Sequence, residues 1–529
     1  MGLARANAIA LVGVQGHVVE IEADIENGLV TLLLVGLPDT ALREARDRIR
    51  SAIVNSGETW PSRRITVGLS PASLPKRGSG FDVGIACAIL AASDAIPAVS
   101  LDGIVLIGEL GLDGRIRPVP GVLPAAAAAA GVGFASVVVA MENAAEAALV
   151  PELRVIAAPT LSALTSWLRA GRPTGGSGAD AAVAVLEPGD ARSVFADQGA
   201  EPVTGSDSGH DKDLADLVGQ PIARRAAEIC AAGGHHLMLL GPPGVGKTML
   251  AERIPTVMPR LEPWAALEVS AIHSVAGTLP PGRPLIIDPP FCAPHHTATR
   301  AAIVGGGSGV IRPGAASLSH HGLLFLDEAP EFGRDVLDGL RQPLESGEVV
   351  ISRAAVTARF PARFTLVLAA NPCPCASART MGAACDCTPM VKRRYLSRLS
   401  GPLLDRIDAK IEFLPVSRRE LLSDRAFTEA SVVVAERVKL ARNRARARLA
   451  GTPWRLNAQI PGSELRRSFA PAAGALAPLE RAMDLGRISA RGADRVIRLS
   501  WTVADLANIG RPGAAEVAYA LGLWSGTPQ

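Results

Sequence analysis

Aromatic side chains are scarce: 11 Phe, 6 Trp and 2 Tyr in 529 residues, 4% of the chain. With so few rings, any contact with a nucleic acid has to rest on Arg and Lys more than on base stacking. Long apolar runs are missing too. No stretch of about twenty residues is free of charges and turns, so no membrane-spanning helix is expected. The N-terminus carries one Arg and a short apolar run that Gln15 and His17 interrupt. That pattern predicts no secretory signal and a cytoplasmic chain. An excess of one charge is nearly absent: 54 basic against 51 acidic residues give +3. Such balance neither demands nor excludes a polyanionic partner, and any basic surface must be local. Cysteine is sparse, but four of the seven crowd between Cys373 and Cys387. In a cytoplasmic chain that crowding points to a metal ahead of disulfides.

What is present is ordinary globular composition, 48% hydrophobic and 20% charged. The length exceeds one core and predicts two or three domains. Residues 1–170 alternate β-rich runs (Val30–Val35, Ile104–Ile107, Ser136–Ala140) with helical patterns (Thr40–Asn55, Gly84–Ala92), an α/β or α+β domain. The Ala125–Ala130 run reads as a soluble helix. Residues 171–210 are rich in Gly, Ser, Pro and Asp without periodicity and read as a flexible, mildly acidic linker. In residues 211–415, apolar strands at Leu237–Leu240, Leu323–Leu326 and Thr365–Ala369 alternate with helices, the pattern of a parallel sheet wrapped by helices. Residues 416–529 read as an all-α lid with Arg-studded segments. The expected fold class is multidomain α/β.

Gly241-Pro242-Pro243-Gly244-Val245-Gly246-Lys247-Thr248 matches the P-loop pattern in full, after an apolar strand and before a helical start. Glycines let backbone N–H groups turn around phosphate oxygens, and the helix N-terminus adds partial positive charge. Lys247 is expected on the β- and γ-phosphates of ATP, Thr248 on Mg²⁺, and Met249 completes the nucleotide-contact set. Leu323–Leu326 ends in Asp327-Glu328, where Asp327 would join the Mg²⁺ shell and Glu328 would polarise the attacking water. Asn371 ends a third strand. It either orients that water or caps a turn before Pro372.

In this order, with Ser400–Asp408 following, the chain resembles the magnesium-chelatase-like AAA+ proteins, and within them the YifB/ComM branch. The residues that carry the resemblance are Ala293-Pro-His-His-Thr297, Val304–Gly307, Arg312-Pro-Gly314, Ser317–His320, Phe325–Phe332 and Asn371-Pro-Cys-Pro-Cys375. Gly36–Asp39 and Lys76–Asp82 add to them, and Glu516–Trp524 departs from the family's usual ending. The resemblance implies a Lon-protease-like (ribosomal S5-like) N-terminal domain, a P-loop AAA+ core and a chelatase-type helical lid. It also implies a homo-oligomeric ring of six, with Asn371 as sensor 1, Arg406 as an arginine finger acting on a neighbour, and Arg491 as the sensor-2 arginine. The rival reading of Arg406 is a salt bridge with Asp405 or Asp408.

Glu348–Arg363 alternates with period two on both arms and forms a predicted β-hairpin, with basic residues near the turn and on the second arm. Its position resembles the pre-sensor-1 hairpin of DNA-translocating relatives, making Arg353 and Arg359 candidates for DNA contact. An ordinary solvated hairpin face is the alternative. Cys373, Cys375, Cys385 and Cys387 form two C-x-C pairs that could hold one structural Zn²⁺; the alternative is four free thiols. His235-His236 and His295-His296 are adjacent pairs whose side chains are expected to diverge, too far apart to share one metal. His235-His236 should pack or touch adenine, and His320-His321 should be structural. In the Lon-like turn Gly80 holds the nucleophile's register, and Pro120–Pro124 lacks the dyad lysine, so peptidase chemistry is disfavoured. Two functions remain in view: a DNA motor of the ComM type, driving branch migration in recombination or DNA uptake, and a chelatase-type chaperone that remodels a protein or metal-insertion partner.

Overall fold

The computed structural model describes residues 2–36, 39–74, 76, 78–172, 182–189, 212–280, 282–307, 311–353, 356–375 and 387–526. The N-terminal part is built on an eight-stranded mixed sheet. Its strand order is Ala184–Leu186, Arg154–Ala157, Ser136–Val139, Ile104–Leu106, Gly2–Val12, Gln15–Glu26, Arg64–Ser70 and Thr31–Val35. The two long strands Gly2–Val12 and Gln15–Glu26 form an antiparallel hairpin, with Ala6 opposite Ile21 and Ala4 opposite Ala23. Against them packs the helix Asp82–Ala92, every residue of which is buried. Its sequence, DVGIACAILAA, has no polar face, so it can lie only inside a core. Within residues 171–210, read as a linker, Ala184–Leu186 instead pairs antiparallel with Arg154–Ala157. Alternating Val183 and Val185 supply the β-preference that the surrounding Gly and Ser obscured. Residues 173–181 and 190–210 lie outside the described residues.

The second unit is a five-stranded parallel sheet in the order Phe291–Cys292, Leu323–Leu326, Thr365–Ala370, Leu237–Leu240, Ala409–Glu412. Its central strands are wholly or almost wholly buried, which is why they read as continuous apolar runs. The helices Pro221–Gly233 and Lys247–Val257 pack on it, and the helical C-terminal part joins the same core through Val438, Val496, Trp501 and Leu523. Among the described residues no helix is long and apolar enough to cross a membrane.

The N-terminal part and the ATPase-like core share a hydrophobic cluster. Ile9, Val105, Leu123 and Val137 pack with Ala266 and Leu285. At its rim Gly121 N–H donates to the Ser274 carbonyl at 3.0 Å, and the Ser274 hydroxyl donates to buried Glu146. A second contact runs from the turn of the N-terminal hairpin. Gly13 sits at φ 66° against Arg359, where a Cβ would come within 2.5 Å of the carbonyl oxygen. Only glycine fits there.

Candidate nucleotide site

The strand Leu237–Leu240 delivers the chain to Gly241. The loop then turns through Gly244 and Gly246, both left-handed at φ 80° and 98°, into the helix Lys247–Val257. A Cβ at Gly244 would meet nothing within 4 Å, so the loop opens toward space that a phosphate can fill. Lys247 is buried, and its ammonium donates to Gly241 O at 2.6 Å, Pro242 O at 2.8 Å and Asn371 Oδ1 at 3.0 Å. Burial lowers its pKa, and the nearby carboxylates of Asp327 and Glu328 oppose that shift.

Strand order explains why these residues meet. Thr365–Ala370 lies between the P-loop strand and Leu323–Leu326, so Asn371 and Asp327 emerge at the same edge as the loop. The Thr248 hydroxyl donates to Asp327 Oδ2 at 2.7 Å. The Glu328 N–H donates to Asp327 Oδ1 at 2.9 Å, with Glu328 itself held at φ 50°. A hydroxyl and a carboxylate this close are suited to a hard divalent cation, as the backbone cradle and Lys247 are to phosphate. One neighbour was missed by sequence reasoning: His296 Nδ1 lies 3.4 Å from Glu328 Oε2.

The His295–His296 pair converges, contrary to expectation, and His320–His321 converges as closely. The ring centroids are 4.1 Å apart in both His295–His296 and His320–His321. His321 has φ 57°, a left-handed turn that swings its ring to its neighbour's side, so both rings reach Glu268 at 3.1 and 3.3 Å. His235 is fully buried and bonds Thr502 at 2.7 Å, a packing role.

Arg406 pairs neither with Asp405 nor with Asp408. Its guanidinium donates to Glu345 Oε2 at 2.8 Å and to Pro402 O at 2.6 Å. Asp408 is taken by Arg495 instead, which also donates to the Arg406 carbonyl at 2.9 Å. Arg491 is exposed at the start of the helix Ala490–Leu506. The described contacts bring neither Arg406 nor Arg491 to the P-loop. The hairpin forms as expected, Glu348–Arg353 against Val356–Pro361. Arg353 is exposed near the turn, and Arg359 reaches across to Glu348 at 2.7 Å.

Cys373, Cys375 and Cys387 bring their sulfurs within 4.8 Å of one another, with Cys373 buried at the end of the core; Cys385 lies outside the described residues. In the N-terminal part Ser79 donates to the Glu109 carboxylate, and the Lys76 ammonium donates to the carbonyls of Pro71 and Leu74. Among the described contacts no lysine faces a serine hydroxyl.

A strand, glycine loop and helix whose lysine meets the Asn of the next strand, and whose threonine meets the Asp beyond it, make this an AAA+-type P-loop core. Three family models match along the chain: magnesium chelatase, subunit ChlI, over residues 213–421; subunit ChlI of Mg-chelatase over 21–143; and the ChlI C-terminal region over 428–523. The chain is 49% identical to the uncharacterized protein Rv2897c of Mycobacterium tuberculosis, covering 98% of each. It is 39% identical to YifB of Escherichia coli, covering 96% of this chain and 94% of the relative. Identity to the competence protein ComM of Haemophilus influenzae is also 39%, over 99% and 97%. The chain therefore belongs to the magnesium-chelatase-like AAA+ family, alongside YifB and ComM.

Proposed function

We propose that this chain binds and hydrolyses ATP with Mg²⁺ and works as a six-membered ring that moves on DNA, as a ComM-like branch-migration motor. The arrangement of Lys247, Thr248, Asn371 and Asp327 around one opening carries the ATP reading. The loop amides from Gly241 to Thr248 hold the triphosphate, with Val245 and Met249 flanking it. Lys247 neutralises the β- and γ-phosphates. Thr248 and Asp327 would hold the metal, whose charge would offset that of the phosphoryl group in transfer. Glu328 orients the attacking water, and Asn371 fixes both Lys247 and that water. Arg406 completes the site across a subunit boundary, and Arg491 acts on it from the lid as the sensor-2 arginine. The exchange of Glu345 for a neighbour's phosphate is then the step that assembly adds for Arg406.

The DNA reading rests on the hairpin. It presents Arg353 at an exposed tip, and a ring of identical cations holds phosphates without reading sequence. The relative named as a competence protein supports it. A structural Zn²⁺ held by Cys373, Cys375 and Cys387, with Cys385 as fourth ligand, would staple the loop after Asn371. The domain division is proposed as 1–170 (extended by the strand Ala184–Leu186), 211–415 and 416–529, the first a catalytically silent Lon-like domain. The chelatase names of the matching models favour a second reading, a chaperone that remodels a protein partner.

ATP turnover with and without single-stranded, duplex and four-way-junction DNA separates the two. The motor reading expects stimulation by DNA and a reduced stimulation ratio in Arg353→Ala. No stimulation by any DNA would favour the chaperone.

A further inference from the structure

The helix Pro389–Leu396 has no part in the roles above. It starts two residues after Cys387, and Thr388 caps it by accepting the Val391 N–H. Lys392, Arg393 and Arg394 are consecutive, so their side chains fan across about 200° of a single turn. Arg393 and Arg394 are exposed and Lys392 half-buried. Among the described residues these three have no ion pair or hydrogen bond from their side chains. The arginines of the helix Ser431–Arg448 behave oppositely. Arg437 is held by Glu228 and Glu429, Arg442 by the Ala231 carbonyl, Arg446 by Glu262 and Arg448 by Asp505. The arginines of that helix are thus held by internal partners, whereas among the described residues the three adjacent cations of Pro389–Leu396 are not.

The helix is firmly seated. Tyr395 is 4% exposed, and its hydroxyl lies close enough to the Asn371 backbone, Glu331 and Glu328 for each to act on it electrostatically. Leu396 packs on the core that holds Leu366, Leu368 and Ala370. Cys373 and Cys375, at the other end of the intervening loop, meet Cys387 just before the helix. The cations therefore sit on a platform tied to the residue that contacts Lys247.

We infer that the helix Pro389–Leu396 is a second nucleic-acid contact, in which Lys392, Arg393 and Arg394 grip the phosphate backbone of a strand and Tyr395 links that grip to Asn371. The inference rests on the DNA reading above. The chemistry is that of backbone holding alone. Adjacent cations on an exposed turn suit phosphate oxygens, and the helix's only aromatic ring is buried, so no base can stack on it. The hairpin precedes the strand Thr365–Ala370 and this helix follows it, so the two contacts belong to separate elements, and the described contacts bring this one to Asn371.

The test is the salt dependence of binding to a fluorescent single strand of mixed sequence, read by anisotropy, with the purified full chain. Three backbone contacts correspond to a slope of about 2 in log affinity against log salt for a single strand. Lys392→Ala/Arg393→Ala/Arg394→Ala should lower the slope by about that amount and weaken binding at least tenfold at low salt. Tyr395→Phe keeps the ring and removes the hydroxyl. It should bind the strand with parental affinity yet lose part of the DNA stimulation of turnover. A parental slope in the triple variant overturns the inference while leaving the DNA reading intact. Failure of the parent protein to bind any strand removes the DNA reading itself. A triple variant that loses self-association instead of strand affinity makes the helix a subunit contact and also overturns the inference.

Discussion

Arg495→Ala probes the joint between the core and the lid. Asp408 stands at the entry to the strand Ala409–Glu412 and is 2% exposed. It accepts from Arg495, from the His236 N–H at 2.9 Å, and has His235 at 3.8 Å. Burial pushes its pKa up, but Arg495 and His235 outweigh burial and hold the carboxyl well below the usual range. Removing Arg495 strands a buried carboxylate, which costs about 3–5 kcal/mol. The surviving His236 amide argues for the lower end of that range. The same substitution frees the Arg406 carbonyl, so the proposed finger should lose its position along with stability. Urea unfolding followed by tryptophan fluorescence reads the loss, because Trp454 and Trp501 sit in or against the lid core. Arg495→Ala/Asp408→Asn removes the stranded charge and should recover at least about 1 kcal/mol of it. pH supplies a second arm. A carboxylate with a depressed folded pKa contributes stability above its unfolded value, about 3.9, and loses it as pH falls below that. Asp408→Asn should therefore blunt the acid sensitivity of the parent. A cost under about 1 kcal/mol for Arg495→Ala, or a double variant no more stable than the single, would refute the reasoning.

His320 is 1% exposed, accepts the Arg363 N–H at its Nδ1 and is pushed by burial down to about 4. The unfolded chain takes up the proton first, so stability should fall by up to about 3 kcal/mol as pH drops from about 6.5 toward 4; a flat unfolding midpoint across that window would contradict it. The cysteine cluster predicts that purified protein carries one zinc per chain, lost in Cys373→Ser, and that a chelator lowers the unfolding temperature. Metal-free protein whose melting is indifferent to chelator would show the thiols to be free.

The meeting of Lys247 with Asn371 and of Thr248 with Asp327 was legible because the pattern that marks these residues is local. A glycine loop, a lysine and two carboxylates at the ends of buried apolar strands are each written within a few residues, and parallel strands bring them to one edge. The hairpin was legible for the same reason, since alternation is a short-range signal. What escaped depends on distant residues or on single dihedral angles. Glu345 is far from Arg406 in sequence, and only the fold makes it the partner in place of Asp405 or Asp408. Nothing in the sequence marks His321 for the left-handed backbone that sets its ring beside His320. The strand Ala184–Leu186 is three residues long in a Gly- and Ser-rich stretch, and it exists because the edge strand Arg154–Ala157 offers it a partner. The shared core between Leu123 and Ala266, likewise, joins segments that carry no mark of each other.

Calorimetric titration of Mg·ATP into the full chain and into Lys247→Ala, with phosphate release measured on the same samples, addresses the nucleotide site directly. The account predicts saturable binding and turnover in the parent and loss of turnover, with at least tenfold weaker binding, in the variant. Equal binding and equal phosphate release in the two proteins would contradict it.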